Sequence, residues 1–375
     1  MRLQIYRDAD EALRSSVMSL LKLDIYAVRN IQKATLHPAP AINFIVGANA
    51  SGKSAVIEAI FILGRAKSFR SATIKPVINF AQNHLIVSAQ TLQANGSTAQ
   101  LGIQLDSKSY CCRINQQATQ KRSDLAYALP LQIIHPKSYE LLDAGPQLRR
   151  EFLDWGVFND DDNFLPAWRN YKKALAQRNS LLKTRALKQL NVWDKELVYY
   201  GTIVHSCRHN YLQKFKPIYT EIIAKFLEID DIDIKLLSGW DIAKDLQQVL
   251  TEDLDKDLRY GFTHSGPHRG DIQVLVNNRL ARDFVSRGQL KLLVMSLKLA
   301  QVQLLTNEHS NVGCFLIDDF AAELDVSNRA KLLHYLTELE CQVFITATEI
   351  ADFGDLTDIK NYKMFHVEHG NIKQV

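Results

Sequence analysis

The octet Gly47-Ala48-Asn49-Ala50-Ser51-Gly52-Lys53-Ser54 constrains this chain more than any other stretch of it. It fits G-x-x-x-x-G-K-[ST], a pattern that works only between a buried strand and the start of a helix. The glycines let backbone N–H groups turn toward phosphate oxygens, and the lysine reaches the β- and γ-phosphates. The final hydroxyl ligates Mg²⁺, and the helix N-terminus adds its positive dipole end. The flanks agree with that arrangement. Ala41–Val46 is a short apolar run of strand type, and from Lys53 to Leu63 the apolar residues Val56, Ile57, Ile60, Ile62 and Leu63 follow helical spacing. ATP with Mg²⁺ is therefore the expected ligand, and an α/β fold built on this loop the expected scaffold.

A second segment supplies what such a site needs. Cys314-Phe315-Leu316-Ile317-Asp318-Asp319 is an apolar strand ending in two carboxylates. Beside a bound nucleotide, Asp318 would hold Mg²⁺ through water and Asp319 would polarise the attacking water. A third segment, Ser286-Arg287-Gly288-Gln289, precedes the helical run Leu290–Leu305 and offers a hydroxyl and free N–H groups to an anion. An ordinary helix cap is the plainer reading there, as it is for Asp325, just past the carboxylates. Thr346 and Thr348 lie at the end of the last strand, Gln342–Thr346, at the edge where a γ-phosphate sensor would sit.

The rest of the 375 residues organise around these segments. With 46% hydrophobic and 23% charged residues the composition is that of a globular protein, and the net charge of +4 says little by itself. No apolar run is long enough for a membrane helix, and the five cysteines include no C-x-x-C pair, which points to a reducing compartment. Residues 1–17 are charged and poorly periodic. They are either a dispensable extension before a true start at Met18 or an ordinary N-terminal helix. Residues 72–134 alternate short apolar runs with turns and read as mostly β. Residues 147–260 read as long helices with segregated charge. Leu165–Pro217 holds eleven Lys/Arg and two Asp/Glu, whereas Glu228–Asp257 holds ten acidic and three basic residues. After Phe262 the α/β character returns, so one α/β domain is expected from both ends of the chain, with a helical insertion between.

The phosphate loop, Ser286-Arg287-Gly288-Gln289-Leu290-Lys291 and Leu316–Asp325 together resemble the RecF family of bacterial recombination-mediator ATPases, relatives of the SMC and ABC ATPase heads. Val28-Arg29-Asn30-Ile31, Ser68-Phe69-Arg70-Ser71, Arg149–Gly156 and Gly266-Pro267-His268 extend the likeness over residues 18–375. The resemblance implies an ABC/SMC-type P-loop NTPase head with a β-rich subdomain. Its parts would be 18–146, carrying the phosphate loop, and 261–375, carrying the signature and the carboxylates. A helical arm, 147–260, would lie between them, after an extension, 1–17. It also implies an ATP-dependent homodimer in which Ser286, Gly288 and Gln289 reach the partner's γ-phosphate and Asp325 lies at the seam. Gln132 then resembles the glutamine that senses Mg²⁺ and water, and Arg29 and Asn30 resemble residues near the nucleotide base. There are departures: Ala50 stands where glycine is usual and Ser54 where threonine is usual. The histidine that ABC ATPases carry after the last strand is absent, with Thr348 near its place.

By the same resemblance the partners are DNA (single-stranded, gapped and junction duplex), RecO and RecR, with RecA loading and SOS induction as the outcome in a bacterial cytoplasm. The activity would be a weak, DNA-stimulated ATPase. The basic stretch is compatible with backbone contacts to DNA, with Arg169, Lys172, Lys173 and Arg178 as candidates and Trp168, Tyr171, Tyr199 and Tyr200 as aromatics able to stack on bases. Core packing of those aromatics is the plainer reading. Two rivals stand beside this one. A transporter ATPase subunit would carry a fuller L-S-G-G-Q signature and that histidine. In a non-enzymatic, ATP-gated DNA clamp, which overlaps the repair reading, hydrolysis would only reset the grip.

Overall fold

The structure, a computed structural model, describes residues 18–93, 95–229, 231–308 and 313–375. The expected extension, 1–17, lies outside them. The chain divides into two compact units: Tyr139–Gln301 forms one, and the segments before and after it form the other.

The first unit opens with β1 (Ser19–Val28) and β2 (Ile31–Leu36), an antiparallel pair whose turn carries Arg29 and Asn30. Then come β3 (Ile42–Val46), the phosphate loop and α1 (Lys53–Arg65). Next are β4 (His84–Leu92), β5 (Thr98–Asp106), β6 (Tyr110–Ile114), β7 (Gln117–Thr119), α2 (Arg122–Ala128) and β8 (Leu131–Ile134). Six of these strands make an antiparallel sheet in the order β2-β1-β4-β5-β6-β7. Its inner face alternates strictly, with Leu85, Val87 and Ala89 buried on β4 and Leu101, Ile103 and Leu105 buried on β5. α1 is buried on nearly all sides from Ala55 to Gly64, which is why its apolar residues outrun a single stripe.

The second unit begins with α3 (Glu140–Asp143) and α4 (Pro146–Asp160). α5 (Phe164–Thr184) and α6 (Leu190–Phe226) follow and pack along one another as a hairpin. β9 (Ile232–Leu237), α7 (Leu246–Glu252), α8 (Leu254–Tyr260), β10 (Asp271–Val276) and β11 (Arg279–Leu280) come next, with the strands forming a small antiparallel sheet in the order β11-β10-β9. α9 (Arg287–Glu308) ends the unit and continues past its boundary. The unit is thus wider than the 147–260 arm expected from sequence, because β9 and β10 pair across 34 residues of register separation between Leu237 and Asp271. No apolar period announces such a pairing in advance.

The chain returns to the first unit with β12 (Cys314–Ile317), α10 (Phe320–Glu323), α11 (Val326–Glu338), β13 (Gln342–Ala347), β14 (Tyr362–Glu368) and β15 (Asn371–Gln374). The second six-stranded sheet runs β15-β14-β3-β13-β12-β8, and all but β15 are parallel to their neighbours. β3, β12, β13 and β8 are buried along their whole length, as strands covered on both faces must be. Gln342 ties β13 to the opposite sheet, accepting from Leu20 N (2.7 Å) and donating to Leu20 O (3.0 Å) and Ala39 O (2.7 Å). α1 lies against strands of both sheets, and their apolar faces make one core with it. The parallel strands therefore deliver their C-terminal ends to a single edge, where an open α/β sheet takes its ligands.

Candidate nucleotide site

β3 ends at that edge in the phosphate loop. Gly47 leaves no room for a side chain, since a Cβ there would fall 2.2 Å from the Val367 carbonyl oxygen. Gly52, at φ +122°, holds a backbone that side chains avoid. Ala50 adopts the left-handed conformation (φ 62°), so the residue that departs from the family pattern tolerates some strain. The loop is braced from beneath. Asn30 Nδ2 donates to Ser51 O (2.8 Å) and Ala50 O (3.3 Å), and Gly370 N donates to Ser51 O (2.8 Å). Arg29 grips α1, with Nε and Nη2 on the two oxygens of fully buried Glu58 (2.8 and 2.9 Å) and Nη1 on Pro76 O. Arg29 and Asn30 are thus committed to holding the loop and its helix.

Lys53 Nζ donates to Gly47 O (2.7 Å) and Ala48 O (2.9 Å), across the mouth of the loop. Burial lowers its pKa, opposed by the charges of Asp319, Asp318 and Asp352. The carboxylates come from the neighbouring strand end. Asp318 is 5% exposed. Burial raises its pKa, against hydrogen bonds from Ser54 and Thr346 and the charge of Arg70. Phosphate-loop hydroxyl and strand-end carboxylate therefore face each other, a pair of hard oxygen donors of the kind Mg²⁺ takes. Asp319 precedes α10 from a left-handed backbone (φ 59°, ψ 60°), and its side chain makes no capping bond to that helix.

The raised pKa of Asp318 has a sign. A carboxyl whose folded pKa exceeds its unfolded value gives its full contribution to stability below the ordinary 3.8 and loses it as pH rises through the folded value. At neutral pH the ionised group therefore burdens the free fold. Asp318→Asn should raise the melting temperature of the nucleotide-free protein at pH 7.5. The gain should narrow as pH falls toward the carboxylate range. A variant no more stable than the parent at pH 7.5 would refute this reading of the site.

One residue expected here is elsewhere, and another is here with different partners. Gln132 is the second residue of β8, and the parallel register sets it beside Phe315 rather than Asp318. That places it about 10 Å below the edge. It is buried, and its Oε1 accepts from Ile133 N (3.0 Å). Ile134 O takes the Asp318 N–H (2.8 Å), so the residue leaving β8 at carboxylate level is His135. Counting strand residues from the apolar run would have found it. Thr346, expected as a phosphate sensor, points instead at the carboxylates. Arg70, exposed and charge-coupled to Asp318, belongs to the same edge. Its loop is fixed by Ser68 Oγ, which accepts from Arg70 N (3.0 Å) and Ser71 N (2.9 Å), and by Phe69, which packs on Phe61 and His135.

Asp325 caps α11, accepting from Asn328 N (2.9 Å), and Val326 beside it is 74% exposed. In the second unit, Ser286 and Gln289 form a reciprocal box. Ser286 N donates to Gln289 Oε1 (2.9 Å) and Gln289 N to Ser286 Oγ (3.2 Å), which caps α9. A Cβ on Gly288 would meet nothing nearer than Ser286 Oγ at 3.9 Å, so the fold of the chain does not require glycine there.

The proposed DNA contacts divide. Arg169, Lys172 and Lys173 are exposed on α5. Arg178 is not: it is fully buried, with Nε on Asp194 (2.7 Å) and Nη1 on Asp257 (2.6 Å) and Thr263 (2.8 Å). It holds α5 to α6 and α8 and presents no charge to DNA. Tyr171 is buried as well, its hydroxyl 2.6 Å from His268 Nδ1, while Tyr199 is 63% exposed. Phe164, Ala167, Tyr171, Ala174, Arg178 and Leu182 share the buried face of α5 at spacings of three and four. That spacing is readable in the sequence and places Arg178 inside.

The SMC_N family, described as the RecF/RecN/SMC N terminal domain, matches residues 19–373. A protein of Pseudomonas paraeruginosa named DNA replication and repair protein RecF is 40% identical over 362 residues, covering 95% of this chain and 98% of that one. Its namesake in Pseudomonas putida is 39% identical over the same length. Among solved structures, the recombination mediator protein RecF with ATP, in the RecFOR pathway, superimposes with a TM-score of 0.85 at 26% identity, covering 97% of this chain and 99% of that one. An SMC head domain from Pyrococcus furiosus gives 0.57 at 17% identity, a likeness of fold. No described helix is long and apolar enough to cross a membrane.

Proposed function

The chain belongs to the RecF family of DNA replication and repair proteins, and from that membership we propose that it is an ATP-gated DNA clamp of recombinational repair. The observation that carries the proposal is the meeting of Lys53, Ser54, Asp318 and Asp319 at one sheet edge. ATP binds with its phosphates in the loop Gly47–Ser54. Ser54 and Asp318 would hold Mg²⁺, which when bound neutralises charge on the phosphate oxygens. Asp319 orients the attacking water, and Arg70 adds a cation at the same edge. Arg29 and Asn30 serve by keeping the loop in shape. Ser286, Gly288 and Gln289 of one copy close over the γ-phosphate of another, with Asp325 at the seam. Closure grips DNA through exposed cations such as Arg169, Lys172 and Lys173, and slow hydrolysis releases it. RecO and RecR are the partners that the RecFOR pathway of the solved relative brings to this reading, with RecA loading as its outcome. Cytoplasmic location follows from the same role. A transporter subunit is disfavoured, since the named relatives are repair proteins.

The test compares dissociation of gapped DNA with single-turnover ATP hydrolysis. Release should be slow with ATP and should keep pace with hydrolysis. Alanine at Arg169, Lys172 and Lys173 together should flatten the salt dependence of DNA binding by about 2–3 in log–log slope. DNA release indifferent to nucleotide would remove the clamp reading.

A further inference from the structure

Thr346 is the penultimate residue of β13, 1% exposed, between the strand of the phosphate loop and the strand of the carboxylates. Its hydroxyl donates to Asp318 Oδ1 (3.0 Å) and accepts from Asp319 N (2.8 Å). A hydroxyl has one proton, and that proton is spent on Asp318. The hydroxyl is therefore committed to both carboxylate residues at once and is not a free donor for a phosphate. We propose that Thr346 is a positioning residue that sets the geometry of the Asp318–Asp319 pair, a role that rests on the ATPase reading above.

The physics has two parts. Asp319 sits in the left-handed region (φ 59°), which residues with a side chain adopt at a cost and keep only when their surroundings enforce it. The Thr346 hydroxyl bonds the N–H of that residue, so it holds the backbone turn that aims the Asp319 side chain. On Asp318 it occupies one oxygen from the β13 side, while Ser54 approaches from the loop. The carboxylate is held between two hydroxyls, which fixes its rotamer and leaves lone pairs for a metal-bound water. Partners that orient a metal's ligands commonly change affinity or activity by about 10–100-fold when removed.

Three proteins test this: the parent, Thr346→Val, which keeps the shape and loses the hydroxyl, and Thr346→Ser, which restores it. Three readouts apply: single-turnover ATP hydrolysis, Mn²⁺ affinity by electron paramagnetic resonance with a non-hydrolysable ATP analogue, and hydrogen exchange of the Asp319 amide without nucleotide. Thr346→Val should lower kcat and Mn²⁺ affinity by about 10–100-fold, leave ATP affinity within about twofold, and lose Asp319 amide protection. Thr346→Ser should recover all three. If Thr346→Val does not fold, Thr346→Ala takes its place under the same expectations. Equal behaviour of valine and parent overturns the proposal, and so does a serine variant as impaired as valine, which would mean packing alone. A parent that hydrolyses no ATP would count against the ATPase reading instead, while the amide protection and Mn²⁺ arms still decide the role of Thr346.

Discussion

Ser286→Arg protein should bind ATP as tightly as the parent and yet remain a monomer when ATP is added. Ser286 caps α9 by bonding Gln289 N. Losing a cap costs about 1 kcal/mol. A helix of 22 residues with Leu293, Val294, Leu297 and Ala300 buried survives that loss. Any failure to pair is then a property of the surface presented to a second copy, where arginine would bring bulk and a charge into a closed seam. A companion variant sharpens the test. Gly288→Ala meets no clash within its own chain and removes a helical glycine, so the free protein should gain up to about 1 kcal/mol. If Gly288 lies against a partner's phosphate, that more stable protein should still dimerise poorly with ATP. Sedimentation of both variants with and without nucleotide reads the outcome. Normal ATP-dependent dimers from Ser286→Arg would end the idea that the site is completed in trans.

Lys53→Ala should lose ATP binding by about a hundredfold or more, the scale of one charge-assisted contact of about 3 kcal/mol. Its amine is held at the mouth of the loop by two carbonyls that a phosphate would outcompete electrostatically. Thermal shift is a direct readout. At a hundred times Kd a ligand adds about 2.7 kcal/mol of apparent stability, so Mg²⁺-ATP should raise the melting temperature of the parent by several degrees. The alanine variant should show no shift while melting near the parent without nucleotide, since Lys53 makes no buried ion pair among the described residues. A variant that still responds to ATP would shift the weight of phosphate binding to the loop backbone and Arg70.

Sequence alone determined the local pieces. A glycine loop between an apolar run and a helical run has few conformations open to it, and Gly47, Gly52 and Ala50 took the backbone that a phosphate cradle needs. Strands buried on both faces announced themselves as mostly apolar runs at Ile42–Val46 and Gln342–Ala347. The segregation of charge in the helical region was equally plain.

Tertiary structure decided what stands beside what. Gln132 and Asp318 both follow from strand assignments, but only the register of β8 against β12 sets their levels three residues apart along the sheet. Arg178 sits in a run of eleven cations, and counting charge placed it at a surface. Packing of α5 on α6 turned it inward, onto Asp194 and Asp257. Thr346 lies 28 residues from Asp318 in sequence, yet the pairing of β13 with β12 brings its hydroxyl within a hydrogen bond of both carboxylate residues. Chemistry that depends on residue type and short spacing is written in the chain. Chemistry that depends on register and on which helical face meets a neighbour is fixed only when the core closes, because one residue of strand slip or a half-turn of helix reverses inside and outside.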